Sequence, residues 1–90
     1  MKTIHKFVLD TVDTQKIKAH IVQFLNVQVQ GGTPCLWALV DTKEQPFTSH
    51  ILIYGTGQEI ELEDLHTHEY LATYQILNGG FIGHVFVPRL

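Results

Sequence analysis

The residues with the plainest claim to chemistry are His66, Thr67 and His68, flanked by Asp64 and Glu69. Two histidines two apart on a strand point to the same side, and a neighbouring carboxylate would add an oxygen donor. A zinc site, however, needs three or four protein ligands in a compact set. His5, His20, His50 and His84 are scattered along the chain, so an exposed acidic loop is the better account and no metal is expected. Cys35 is the single cysteine. As a nucleophile it would need a histidine base and a stabilised thiolate. Nothing in the sequence places a histidine beside it, and a lone cysteine in an apolar run is ordinarily a small buried hydrophobe. Ser49, the one serine, has no nucleophile elbow around it. Glu59, Glu61, Glu63 and Asp64 are strung along one polar segment, the pattern of a solvated loop rather than of a general acid–base pair. No catalytic residue and no cofactor are expected.

Two further groups are candidates for binding. Tyr54-Gly55-Thr56-Gly57 sets two glycines around a threonine, a pattern that can turn backbone amides toward an anion, with Tyr54 as a stacking ring. It falls well short of a dinucleotide fingerprint, which has a further glycine and a helix start. Its plainer reading is a glycine turn that ends a strand. Tyr70 and Tyr74 would share one face of a strand, and a tyrosine pair on a sheet surface suits a protein interface.

The elements that must position these residues read as strands. Val27–Asp41 organises the chain: Val27 and Val29 alternate with Gln28 and Gln30, Gly31-Gly32 supplies a two-residue turn, and Cys35–Val40 is an apolar run. That run is too short for a helix between Pro34 and Asp41, and it suits a central strand covered on both faces. Before it, Thr3–Asp10 alternates, with Phe7 and Leu9 toward the core, and Thr11–Asp13 reads as a turn. Thr14–Lys18 reads as a short edge strand blunted by its lysines. Ile17, His20, Ile21, Phe24 and Leu25 also fall at helical spacing, so a helix over Asp13–Leu25 capped by Asp13 is the competing reading.

Phe47–Tyr54 alternates and would pair antiparallel with Cys35–Asp41 across Thr42–Pro46. Gln58–Glu69 is an acidic packed loop or one helical turn, with Ile60, Leu62 and Leu65 as anchors. Tyr70–Leu77, Asn78-Gly79-Gly80 and Phe81–Val87 form a second hairpin, and Gly83 inside its strand implies a bend or a close backbone approach. The fold expected is all-β: a single domain over residues 1–90, a small antiparallel sandwich or barrel of six to seven strands built from hairpins.

Composition excludes several classes. Six Lys and Arg against nine Asp and Glu give a net charge of −3, against the clustered cations a nucleic-acid binder needs. No apolar segment approaches the roughly 20 residues of a membrane helix. The start of the chain, MKTIHKFVLD, lacks the apolar run of a signal peptide, and one cysteine fits a reducing compartment, so a cytoplasmic protein is expected.

The blocks MKTIHKF, VQVQGGTPCLWALVD, IYGTGQEI and YLATYQILNGGFIGHVF together resemble an uncharacterised family of small proteins encoded by bacteriophages and prophages. The resemblance spans nearly the whole chain. It implies a small product of a phage or mobile element working in the host cytoplasm, and it brings no catalytic or binding residues with it. The function expected is non-enzymatic: an accessory protein that self-associates as a homo-oligomer and binds a host protein, modulating a host process such as defence. The alternative is a binder of a nucleotide or nucleotide-derived signal through Tyr54–Gly57; an enzyme is the remote third.

Overall fold

The computed structural model describes residues 1–11 and 13–90. Its seven strands are β1 (Lys2–Val8), β2 (Thr14–Ala19), β3 (Ile21–Gln30), β4 (Thr33–Asp41), β5 (Phe47–Gly55), β6 (His68–Ile76) and β7 (Phe81–Pro88). They form two antiparallel sheets, β1-β4-β3 and β2-β5-β7-β6. A short helix α1 (Leu62–Thr67) and a 3₁₀ turn (Leu77–Gly79) complete the described elements. The all-β antiparallel architecture expected from the hairpin signals is the one that forms. The expected turn over Thr11–Asp13 includes Val12, which lies outside the described residues.

The β3–β4 hairpin is as its sequence implies. Gln30 pairs with Thr33, and Gly31 and Gly32 between them have φ of 56° and 81°. A twist-matched two-residue turn requires positive φ at both positions, which glycine reaches without a Cβ clash. β4 is the centre of its sheet. Leu36, Ala38 and Val40 are buried against the second sheet, whereas Trp37 and Leu39 on the opposite face are only half-buried. The apolar run is thus central in hydrogen bonding without being fully covered on both faces.

Two expectations are settled by the sheet topology. Phe47–Tyr54 does not pair with Cys35–Asp41: β4 already has β1 on one edge and β3 on the other, so no edge is left for it. The chain crosses to the second sheet, where β5 pairs with β2 and β7. The helix over Asp13–Leu25 does not form either. β2 and β3 are separated only by His20, where the chain turns from one sheet into the other. Register shifts then fall between Ile21 and Gln23 and between Phe24 and Asn26. Each inserts one residue into a period of two. Ile17, Ile21, Phe24 and Val27 therefore all reach the core from extended backbone, at a spacing that imitates a helix.

His20 pins this corner. Its carbonyl accepts the Asp41 N–H at 2.9 Å, its Nδ1 lies 3.0 Å from the Gln45 carbonyl, and its ring meets Phe47 edge-on at 5.3 Å.

The core lies between the sheets and includes Leu9, Leu36, Val40, Ile51, Ile53, Tyr74, Val85 and Val87. The acidic segment forms one helical turn, α1, but of the three anchors expected only Ile60 is half-buried: Leu62 is 68% exposed and Leu65 is exposed as well. The segment is held instead by polar contacts, chiefly the Tyr54 hydroxyl donating to the Asp64 carboxylate and Arg89 reaching the Leu65 carbonyl at 3.4 Å.

Candidate functional site

The outer face of β5, β7 and β6 carries the most side-chain chemistry. Residues directly opposite each other in an antiparallel pair point to the same face. Tyr54 pairs with His84 and Leu52 with Phe86 across β5–β7; Tyr70 pairs with Phe86 and Thr73 with His84 across β7–β6. These residues therefore form one surface.

A polar chain crosses it. Thr56 Oγ1 lies 2.7 Å from His84 Nε2, His84 Nδ1 lies 2.9 Å from Thr73 Oγ1, and Thr73 Oγ1 lies 2.8 Å from the Tyr70 hydroxyl. An aromatic chain runs beside it. Phe86 meets both Tyr54 and Tyr70 nearly edge-on, with centroids 5.9 Å apart in each case. Both ring nitrogens of His84 face neutral hydroxyls, and among the described residues no carboxylate hydrogen-bonds to it. Such a surface is polar and aromatic, with its hydroxyls and imidazole hydrogen-bonded to one another.

The loop Tyr54–Gly57 is a turn after β5, with Gly57 at φ 85°. The Gly55 N–H donates to Gln58 Oε1 at 2.9 Å and the Gln58 N–H to the Gly55 carbonyl at 3.1 Å. The Gly55 and Gln58 amides are therefore used within the turn. The ring of Tyr54 is buried under α1, and its hydroxyl is committed to Asp64. That hydrogen bond, followed by burial, raises the Tyr54 pKa above its ordinary value. The hollow beside it, about 170 Å³, has the acidic residues Asp13, Glu59, Glu61 and Asp64 among those that line it. A nucleotide phosphate would meet negative charge there, and Tyr54 is not the free stacking ring expected. On the other side of the loop an uncharged cleft of about 280 Å³ runs between Gly55-Thr56 and Gly79–Ile82.

Tyr70 and Tyr74 do not share a face. β6 shifts register between Tyr70 and Ala72, with Leu71 as the extra residue, so everything after it is turned over. Tyr70 lies outside, 56% exposed, while Tyr74 is in the core at 4%. Tyr74 lies directly over Gly83, its pairing partner, where a Cβ would come within 2.5 Å of the ring. The close backbone approach inferred from Gly83 is this contact.

Among the described residues no three His, Cys, Asp or Glu side chains gather into a metal-binding group. His66 sits in α1 and His68 begins β6, so they do not alternate along one strand. His68 has a structural task. The odd residues of β5 bond to β2, as the Ile53 N–H to the Asp13 carbonyl shows, so His50 turns its carbonyl toward β7. The register carries that carbonyl to Pro88, which has no N–H. His68 Nε2, 3.0 Å away, donates instead. Cys35 is buried, its thiol directed at the Thr33 carbonyl.

Sequence reasoning named Tyr54, Thr56 and Tyr70 but missed Thr73, His84 and Phe86. The alternation of His84 and Phe86 on β7 was visible. Which strands flank β7, and in what register, was not.

Fold and site together define a two-sheet antiparallel domain with a hydroxyl- and aromatic-rich outer face. The chain belongs to the family described as Domain of unknown function (DUF7352), whose model matches residues 1–90. No curated protein and no solved structure matches it. Among the described residues no helix is long and apolar enough to cross a membrane.

Proposed function

We propose that this protein acts by binding other proteins, and copies of itself, rather than by catalysis. The observation that carries the reading is the exposed Tyr70, set on Phe86 and tied through Thr73 to His84 and Thr56. Tyrosine loses little conformational entropy on binding, and here the ring is already held by its neighbours, so a partner would not have to order it. The partner is a host protein, and the chain is a cytoplasmic accessory product of a phage or mobile element that modulates a host process; this context rests on the sequence resemblance.

Affinity capture from host extract with the wild-type chain and Tyr70→Ala side by side tests the reading. A central tyrosine contributes about 2 kcal/mol or more to an interface, roughly a thirtyfold change in affinity. A partner held by the wild type and lost with Tyr70→Ala is the expected result. Equal capture by both proteins would remove this face from the account.

A second reading, a small-ligand site, is supported by the cleft between Thr56 and the Gly79–Ile82 turn. It holds no cation to meet a phosphate. A nucleotide panel that leaves the melting temperature unmoved at millimolar concentration would end it, since a ligand bound only by the folded state must raise it.

A further inference from the structure

In an antiparallel ladder the backbone groups alternate: one residue turns its N–H and C=O to one neighbour, and the next residue turns them to the other side. The Leu9 N–H donates to the Pro34 carbonyl at 2.9 Å and the Met1 carbonyl accepts from the Thr42 N–H at 2.8 Å, so the odd residues of β1 face β4. Lys2, Ile4, Lys6 and Val8 turn theirs to the outer edge of the three-stranded sheet, where none of the described strands lies.

Exposed edges are normally guarded by bulges or by lysines. The other edges carry these devices. β3 has two register shifts and β6 has one. On β2, Thr14, Lys16 and Lys18 face outward, and two-fold pairing of all three would set Lys16 against Lys16 of the other copy. β1 has no register shift. Of its two lysines, Lys6 is drawn back over its own sheet, its Nζ donating to Gln30 Oε1 at 3.0 Å on β3, two strands away, and Lys2 is the cross-strand partner of Asp41 on β4.

We propose that β1 is the edge at which a second copy of this chain pairs antiparallel across a two-fold axis, joining two three-stranded sheets into one of six strands. The proposal deepens the self-association in the reading above and rests on it. One register uses every outward group. Residue 2 pairs with 8 and 4 with 6 in both directions, four pairs of two bonds each, about eight hydrogen bonds in all. Lys6 then lies opposite Ile4 and Lys2 opposite Val8, with no like charges opposed. A shift of two residues either way sets Lys6 on Lys6 or Lys2 on Lys6. Ile4 and Val8, 58% and 60% exposed in the single chain, become cross-strand neighbours of the lysine stems. His5 falls on the axis, facing His5 of the second copy in a non-hydrogen-bonded pair.

That register is directly testable by cysteine substitution. Cα atoms of a non-hydrogen-bonded pair are about 4.5 Å apart, within disulfide range. His5→Cys should therefore give a covalent dimer under mild oxidation. Thr3→Cys should not, because two Thr3 residues would be four positions apart, about 13 Å. Wild-type protein, with Cys35 buried, provides the background.

In sedimentation equilibrium, Ile4→Pro removes only an outward N–H and should weaken dimerisation at least tenfold while the chain stays folded. Val8→Lys, which would face Lys2 of the second copy, should do the same if the proline variant misfolds. Dimers that form in solution but cross-link equally through positions 3 and 5, or through neither, would overturn the β1 edge and leave self-association through another surface. A single-chain mass at every concentration would overturn both.

Discussion

Gly83 is the position where one added methyl group tests the packing most sharply. An alanine Cβ there would lie 2.5 to 2.7 Å from three atoms of the Tyr74 ring system. Carbon atoms in contact sit about 3.5–4.0 Å apart, so the ring would have to withdraw by roughly 1 Å. It has little room: Tyr74 lies in the core cluster with Ala72 and Val85, and Phe81 packs 6.1 Å away centroid to centroid. Overpacking of this kind costs about 1–3 kcal/mol. Replacing glycine recovers about 0.5–1 kcal/mol by restricting the unfolded chain, because Gly83 does not have the positive φ that would strain alanine. The expected net loss for Gly83→Ala is therefore on the order of 1–2 kcal/mol. For a domain of this size that lowers Tm by roughly 10 °C. The assay is thermal and urea unfolding of a double-mutant cycle with Tyr74→Leu. Without the ring the clash is gone, so Gly83→Ala should be neutral or mildly stabilising in that background. An equal cost in both backgrounds, or a shift within about 2 °C in the wild type, would refute the account of Gly83 as the seat of the Tyr74 ring.

Other predictions concern polar groups. The buried Tyr74 hydroxyl and Ser49 Oγ have no hydrogen-bond partner among the described residues. Tyr74→Phe and Ser49→Ala should each raise stability, by about 1 kcal/mol, measured as Tm or urea midpoint, since an unsatisfied buried hydroxyl costs about that much. The Asp64 hydrogen bond, then burial, raises the Tyr54 pKa. The folded state therefore holds that proton more tightly, and the stabilisation is present below the unfolded value near 10 and lost as pH rises through the folded one. Tyr54→Phe should flatten the fall in Tm above about pH 10. Asp41 shifts the other way, lowered first by the Lys43 backbone N–H and then by the N-terminal ammonium at 3.0 Å. Its contribution is present above the unfolded value near 4 and lost as pH falls through the folded one, so Asp41→Asn should weaken the loss of stability below about pH 4.

Much of the fold was legible locally. The Gly31-Gly32 turn, the strands on either side of it, the edge strand expected over Thr14–Lys18 and the Asn78–Gly80 hairpin all follow from turn chemistry and period-two alternation, which depend on a few neighbouring residues. The close approach at Gly83 was legible as well, because only glycine leaves space for another group against the backbone. The polar surface was legible in part: Tyr54, Thr56 and Tyr70 stood out by type, while His84 and Thr73 acquire their meaning only once β6 and β7 are paired in one register.

Three features belonged to the tertiary structure alone. β5 joined the second sheet because both edges of β4 were already occupied, and occupancy of an edge is a long-range fact. Tyr70 and Tyr74 parted because one extra residue at Leu71 turns the rest of β6 over, and whether a strand absorbs such a residue is decided by the partner it must match. The helical spacing of Ile17, Ile21, Phe24 and Val27 became a strand pattern because two register shifts each displaced the alternation by one, after Ile17 and Ile21 had kept it across the sheet change at His20. Sequence by itself determined that this chain is a set of antiparallel strands and where most of its turns lie. The three-dimensional pairing determined which side chains meet, since a shift of one residue moves a side chain to the opposite face while leaving local preferences unchanged.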